Sequence, residues 1–199
     1  MGTRLAVQAA LALLVLVSGC ASQPGTVARP GIAPPPDTAP AAGPAFNATD
    51  VMFLQMGLAQ IAEGDELAAL TEQRANGAAL RAVAGELRAQ WRDESGTMRR
   101  WLLGWRQPLT ADPSAGAHAG HGDLHRLRPA DLAELRGSPA TAFDRTASAL
   151  LLGHLGNCVE TGRMETAGGA YPPARALARS ITDRRQAQVR TLLTMAAAG

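Results

Sequence analysis

A helical pattern that recurs at an offset of 94 residues is the strongest constraint on the fold of this chain. The clearest matches are Asp50 with Asp144, Glu66 with Glu160, and Arg81-Ala82-Val83-Ala84 with Arg175-Ala176-Leu177-Ala178. The alignment continues without a gap, so that Glu94 is aligned with Gln188 and Gln60 with His154. We interpret the pattern as two tandem repeats, at about residues 50–105 and 144–199.

Apolar residues at steps of three and four predict two long helices in each repeat. The expected bounds are about 51–75, 78–105, 139–162 and 173–195, with a short helix at 129–136 between the repeats. Asp50 is expected to cap the first helix, and Ser138 with Pro139 to begin the third. Two such hairpins would bury their apolar stripes against each other, which predicts an all-α four-helix bundle.

The N-terminal region has the layout of an export signal followed by a tether. Residues 1–19 carry one charge, Arg4, and an apolar run from Leu5 to Val17 that is too short to span a bilayer. Val17-Ser18-Gly19-Cys20 resembles a bacterial lipobox, in which Cys20 would be lipidated. Residues 20–45 are rich in proline, alanine and glycine and cannot form a core, which leaves residues 46–199 as the folded domain.

Composition excludes several functions. The formal net charge is only +2, which lacks the basic excess of nucleic-acid binders, so no nucleic-acid partner is expected. We find no Gly-x-Ser-x-Gly, His-Glu-x-x-His or phosphate-binding glycine motif, and we therefore expect no enzyme activity. The lipobox predicts a lipid-anchored protein on the extracytoplasmic face of the cell membrane.

Three polar residues interrupt the apolar stripes. They are Glu94 on the second helix, His154 on the third and Gln188 on the last. A buried carboxylate is costly unless it is paired or bound to a metal, so the position of Glu94 requires a partner. One interpretation is hydrogen bonding or ion pairing inside the bundle, and the other is a metal site.

Several segments resemble a known bacterial family, domain-of-unknown-function family 305. The resemblance covers about residues 46–195 and is carried by FNATDVMFLQMGLAQIAEGDELAAL, AFDRTASALLLGHLGN and Glu94–Leu102. It implies a ferritin-like bundle, export from the cytoplasm and an association with metals, especially copper. Each repeat of the family typically has a Met-Ile-x-His-His motif and a Glu-Ile-x-x-Met motif.

This sequence departs from those motifs at nearly every site position, so the resemblance implies a degenerate member. The surviving candidate metal ligands are His154, Glu94 and Met98, whereas Gly57, Gln60-Ile61, Leu151, Leu155, Gln188 and Leu192 replace the others. Imidazole suits copper and zinc, and a thioether favours Cu(I), so copper or zinc is the expected ion and binding should be weak. The alternative is that Glu94 and His154 pair internally while Met98 is ordinary core.

A second candidate metal site lies between the repeats. His118, His121 and His125 occur close together among glycine and alanine residues. Neutral imidazoles at such spacing can chelate a divalent ion, although the spacing matches no defined zinc motif. The alternative is a solvated loop.

Two functions remain open at this point. The first is a membrane-anchored extracytoplasmic lipoprotein with weak metal binding. The second is a non-enzymatic structural or protein-interaction module without a metal site.

Overall fold

A computed structural model describes residues 45–111 and 127–198 of the chain. Within these ranges it contains five helices and no strand: α1 Ala48–Arg74, α2 Ala78–Gly104, α3 Pro129–Gly137, α4 Ala140–Gly168 and α5 Pro172–Ala198. The predicted all-α fold is confirmed. The export signal, Cys20, nearly all of the tether and the loop histidines His118, His121 and His125 lie outside the described residues. No helix in the described ranges is long and apolar enough to cross a membrane.

The start of α1 differs from the sequence-based prediction, in which Asp50 was the N-cap. Asn47 is the N-cap, and its side chain accepts a hydrogen bond of 3.1 Å from the Asp50 N–H. The Asp50 carboxylate accepts one of 2.7 Å from the Asn47 N–H in return. This reciprocal capping box satisfies two N–H groups that the first turn leaves without partners, so the helix begins three residues earlier than expected.

The bounds of α4 also differ from the prediction. Ser138 follows the last residue of α3, and Pro139 is the N-cap of α4. The helix passes through Gly162, the expected end, and continues to Gly168. A methyl group at Gly162 would lie only 3.1 Å from the Ala178 carbonyl and closer still to Thr182. Gly162 therefore allows α4 and α5 to approach closely and does not act as a stop signal.

The four long helices form a bundle in which α1 packs on α2 and α4, and α4 packs on α5. Short connections make consecutive helices antiparallel. We call the end where the chain enters α1 the entry end; α2 and α4 finish there and α5 begins there. One apolar cluster, with Leu87, Trp91 and Phe143, fills the opposite half, and another, with Phe53, Met98 and Leu102, fills the entry half.

Asp50 and Asp144 make equivalent contacts at the two ends of the bundle. The Asp50 carboxylate accepts hydrogen bonds of 3.1 and 2.9 Å from the N–H groups of residues 170–171, in the α4–α5 turn. The Asp144 carboxylate accepts two of 2.8 Å from those of residues 76–77, in the α1–α2 turn. All these positions are related by the 94-residue offset. Each carboxylate thereby ties one hairpin to the turn of the other and satisfies N–H groups at a helix start.

The entry end adds a second buried carboxyl group, that of Glu165, which is fully buried. Neither Glu165 oxygen has a hydrogen-bond partner of good geometry among the described residues. Burial, followed by the neighbouring Asp50 carboxylate, raises the pKa of Glu165 from 4.5 to about 8. Burial would also raise the pKa of Asp50, but the N–H groups of Asn47 and Tyr171 outweigh it and hold that pKa below its ordinary value. At neutral pH, Glu165 is therefore protonated and Asp50 is ionised.

This pair makes stability depend on pH in a defined direction. The folded chain holds a proton on Glu165 that the unfolded chain releases above pH 4.5. The stabilisation of the folded state that Glu165 provides is therefore complete below pH 4.5 and is lost as the pH rises through about 8. We expect the free energy of unfolding, measured with urea, to decrease from pH 7 to pH 9, a range above the pKa of 6.5 that His154 has in the unfolded chain. In Glu165→Gln that decrease should be largely absent. An equal decrease in both proteins would contradict the assignment.

Candidate functional site

A cluster of buried polar side chains lies where α2 faces α5, with the guanidinium of Arg185 at its centre. Arg185 is 0% exposed and Glu94 is 3% exposed. Arg185 Nη2 donates to Glu94 Oε2 at 2.5 Å, and Nη1 donates to Gln188 Oε1 at 3.2 Å and to Gln90 Oε1. Gln188 Nε2 also donates to Gln90 Oε1, at 3.1 Å. Three side-chain oxygens therefore accept hydrogen bonds from one cation supplied by the chain itself.

The charges in this cluster depend on one another. Burial raises the pKa of Glu94, although Arg185 and then Arg184 oppose this shift. Arg184 Nη2 lies 3.5 Å from Glu94 Oε1, and the Arg185 guanidinium carbon lies 5.7 Å from the centre of the Trp91 ring. A buried ion pair contributes little net stability, but one partner without the other is strongly destabilising. Arg185 is thus the partner that the position of Glu94 requires.

Arg185 was not among the site residues predicted from the sequence. A signal was present, because residue 185 lies four residues after Ile181 and three before Gln188, on the buried stripe of α5. Arginine at such a position is normally assigned to a solvated face. Only the presence of Glu94 and Gln90 on the facing helix explains its burial.

His154 lies deeper along the bundle, packed against Trp91 and Gly64. It is 2% exposed, and its ring is edge-on to Trp91 with centroids 5.7 Å apart. Its Nε2 has no hydrogen-bond partner in residues 45–111 and 127–198. Burial, followed by the charge of Arg185, lowers the pKa of His154 to about 4, although a hydrogen bond with the Gln60 backbone opposes this shift. The imidazole is therefore neutral in the folded protein at neutral pH.

Met98 lies on the other side of the cluster, against Gly57. A methyl group at Gly57 would be 2.9 Å from Met98 Sδ, so the thioether fills the space that a larger residue would occupy. A cavity of about 20 Å³, room for the centre of one water molecule, lies beside it. Its lining includes Gly57, Gln60, Glu94, Met98, Cys158, Thr161 and Arg185. Burial raises the pKa of the Cys158 thiol to about 12, so this cysteine is an uncharged core residue.

The three predicted bundle ligands do not meet at one point. Gly57, beside Met98, and Gly64, beside His154, are seven residues apart on α1, or about 10.5 Å along its axis. Met98 Sδ and His154 Nε2 each lie within about 3 Å of a methyl group placed at the neighbouring glycine. The two ligand atoms are therefore at least about 5 Å apart. Nitrogen and sulfur ligands of one ion are at most about 4.4 Å apart.

The third predicted ligand, Glu94, is already paired with Arg185, whose positive charge would repel a metal ion. Among the described residues no group of three His, Cys, Asp or Glu side chains is placed to hold an ion. In this arrangement His154, Glu94 and Met98 are therefore not placed to bind one ion together.

The contact between Gly64 and His154 can be tested by adding one methyl group. In Gly64→Ala the new carbon would overlap His154 Nε2 and lie 2.7 Å from the Trp91 ring, so we expect a loss of about 1–3 kcal/mol in the free energy of unfolding. Gly153→Ala, on α4 with nothing within 4 Å, is the matched control and should gain up to about 1 kcal/mol. Equal effects in denaturant unfolding would rule out the close approach.

The ion pair can be tested with a double-mutant cycle. Arg185→Met leaves Glu94 buried without its cation and should cost about 3–5 kcal/mol, whereas adding Glu94→Gln should recover part of that loss. Arg184→Gln, at a partly exposed cation 3.5 Å from Glu94, should cost less than about 1 kcal/mol. Additive losses in the cycle, measured by urea unfolding, would show that the two side chains do not interact.

Comparison with known proteins identifies a family that the chain resembles in sequence and in fold. The family model for a domain of unknown function, DUF305, matches residues 50–196. A DUF305 fragment from Deinococcus radiodurans is 25% identical, with a TM-score of 0.65 over 76% of this chain and 97% of its own. No curated protein matches the chain at a significant level.

Two further solved structures share the fold. The DUF305 protein from Streptomyces coelicolor is 16% identical, with a TM-score of 0.69 over 75% of this chain and 92% of its own. CopM in its Cu(II)-bound form is 20% identical, with a TM-score of 0.61 over 73% of this chain and 94% of its own. Because the family model spans most of the chain and agrees with the helical architecture, this protein belongs to the DUF305 family.

Proposed function

We propose that this chain is a membrane-anchored, extracytoplasmic and non-enzymatic member of its family that works as a structural or protein-interaction module. The observation that carries the proposal is the Arg185 guanidinium in the centre of the bundle, bound by Glu94, Gln188 and Gln90. The carboxylate in this interior is paired with a cation from the chain itself. Such a bundle folds without a metal ion, and its surface is then what interacts with other molecules.

The anchoring part of the proposal rests on the first 45 residues. An apolar run of export-signal length precedes the lipobox-like Val17-Ser18-Gly19-Cys20, and a proline-rich segment separates Cys20 from the first residue of the domain. At about 3.1 Å per residue for polyproline II, residues 21–45 would reach up to roughly 80 Å from a membrane. The domain could therefore contact partners at the membrane or some distance from it.

Weak binding of copper or zinc is the second candidate function. Two observations favour it: His154 Nε2 is buried without a hydrogen-bond partner in the part of the chain that the structure describes, and CopM has been solved in Cu(II)-, Cu(I)- and Ag-bound forms. A site in the bundle would require His154, Glu94 and Met98 to move together and Arg185 to leave. The other predicted ligands are the loop histidines His118, His121 and His125.

Thermal melts of residues 20–199 carrying Cys20→Ser, with and without equimolar Cu(I), Cu(II) or Zn(II), separate the two functions. A ligand that binds only the folded chain raises its melting temperature. Because the proposed function includes no metal site in the bundle, we expect no change in melting temperature that depends on the bundle residues. A shift abolished by His154→Ala would overturn the proposal. A shift abolished only by the triple alanine variant of His118, His121 and His125 would place metal binding in the loop and leave the bundle metal-free.

A further inference from the structure

We infer that the turn between α1 and α2 contains a site of spontaneous covalent modification, the side-chain amide of Asn76, and that the Asp144 carboxylate on α4 controls it. In this reaction the amide is converted to a carboxyl group when the turn opens away from α4. The features that carry the inference are the Asn76-Gly77 sequence, the exposure of both residues and the hydrogen bonds that hold them in the folded chain.

Asparagine followed by glycine is chemically reactive, because no side chain on the glycine hinders its backbone nitrogen. The Gly77 nitrogen loses its proton to solvent and attacks Asn76 Cγ, and the bond from Cγ to Nδ2 then breaks and releases ammonia. The product is a cyclic imide. Water adds to either ring carbonyl and opens the ring, which leaves an aspartate or an isoaspartate, in which the main chain continues through the side-chain carbonyl. Water is the only co-reactant.

Both residues are accessible to the water that this reaction consumes. Asn76 and Gly77 are exposed in the turn after α1, and Gly77 is the N-cap of α2. Its φ of −71° is open to any residue, so the backbone does not require glycine there. The other asparagines, Asn47 and Asn157, precede an alanine and a cysteine. Only Asn76 is therefore followed by a residue without a side chain.

The folded chain engages both reacting groups in hydrogen bonds. The Asp144 carboxylate accepts one from the Gly77 N–H and one from the Asn76 N–H, each of 2.8 Å. The Asn76 side-chain amide donates to the Ala140 carbonyl at 2.8 Å. Arg81 Nη1 donates to the Asn76 backbone carbonyl, also at 2.8 Å, so the peptide group that joins residues 76 and 77 is held at both its N–H and its C=O. Ring closure requires these contacts to break.

The charge of the Asp144 carboxylate also opposes the reaction. Ring closure begins with a negative charge on the Gly77 nitrogen and continues through one on the Asn76 side-chain oxygen. A carboxylate in contact with that nitrogen disfavours both charges, because like charges repel at short range. The hydrogen bond from the Gly77 N–H to an ionised acceptor further opposes release of the proton. Asp144 therefore protects the amide for as long as α4 remains on the turn.

The equivalent turn at the entry end has the same contact without the reactive pair. Ala170 and Tyr171 are related to Asn76 and Gly77 by the 94-residue offset. Their N–H groups donate to the Asp50 carboxylate at 3.1 and 2.9 Å. The contact itself needs neither asparagine nor glycine, so the chain offers matched control variants.

Modification would prevent the contact from forming again. A carboxylate at position 76 has no N–H to donate to the Ala140 carbonyl, and it would place a second negative charge beside Asp144. An isoaspartate would also lengthen the main chain and displace Gly77, where α2 begins. Each opening of the turn that leads to reaction therefore leaves a permanent change, which weakens the contact between the two hairpins.

The test follows the tryptic peptide 75–81, which begins after Arg74, ends at Arg81 and contains Asn76 as its only asparagine. Residues 20–199 carrying Cys20→Ser are incubated at neutral pH, and mass spectrometry measures the conversion of the amide to a carboxyl group. We expect conversion to be at least about tenfold slower in the folded chain than in the chain unfolded with guanidinium chloride. Equal rates, or no conversion in the unfolded chain, would overturn the inference.

The role of Asp144 is tested by two variants and a matched control, all compared at temperatures at which far-UV circular dichroism shows them folded. Asp144→Ala should accelerate conversion at Asn76 by about tenfold, the effect of losing a hydrogen bond to a charged group. Asp144→Asn keeps an acceptor oxygen without the charge and should accelerate it less. Asp50→Ala breaks the equivalent contact at the entry end and should leave the rate at Asn76 unchanged.

Two results would overturn control by Asp144. Equal acceleration in Asp144→Ala and Asp50→Ala would show that only global stability protects the amide. Slower conversion in Asp144→Ala would show that the carboxylate acts as a base and promotes the reaction.

Variants in the turn test the chemistry and its consequence. In Gly77→Ala the new methyl group would lie 3.2 Å from Asp144 Oδ2, so the fold should persist, and conversion in the unfolded chain should fall by about tenfold or more. Asn76→Asp, which reproduces the product, should lower the melting temperature more than Asn76→Ala, which removes the same donor without adding charge. Undiminished conversion in Gly77→Ala would refute attack by the residue 77 nitrogen, and equal melting temperatures would refute the destabilising effect.

Discussion

The ion pair between Arg185 and Glu94 is the interaction on which the interior of this bundle depends. Two charges at 0% and 3% exposure remain inside a helical core only because each compensates the other. Gln90 and Gln188 accept further hydrogen bonds from the guanidinium, whose carbon lies 5.7 Å from the centre of the Trp91 ring. The pair links α2 to α5, two helices whose backbones make few close contacts. It also supplies the positive charge that a metal ion would otherwise bring.

Two glycines on α1 leave room for the methionine and the histidine that lie on either side of this pair. Met98 occupies the space above Gly57, and His154 occupies the space above Gly64. Both glycines are inside a helix, where glycine is unfavourable, so close packing offsets their conformational cost. The same packing keeps the thioether and the imidazole apart. A bundle with this interior retains the family architecture with the imidazole and the thioether at separate positions along α1.

Much of the fold could be predicted from local pattern, and errors arose where a distant contact decided the outcome. The apolar stripes predicted α2 almost to the residue, and the 94-residue register aligned Asp50 with Asp144, which make equivalent contacts in the structure. Asp50 was misassigned as an N-cap because its carboxylate serves both Asn47 and a turn 120 residues away. Gly162 was misread as a stop because its contact with α5 is invisible in one sequence.

The sequence by itself determined the helical class, the repeat and the polar residues that interrupt the stripes, since periodicity and composition are properties of neighbouring residues. Only the tertiary structure decided how those polar residues are used. Glu94 meets Arg185 from the last helix, His154 remains neutral beside Trp91, and Glu165 keeps its proton beside Asp50. The physical reason is that charge state and pairing inside a core depend on which side chains lie within a few ångströms and how far water is excluded.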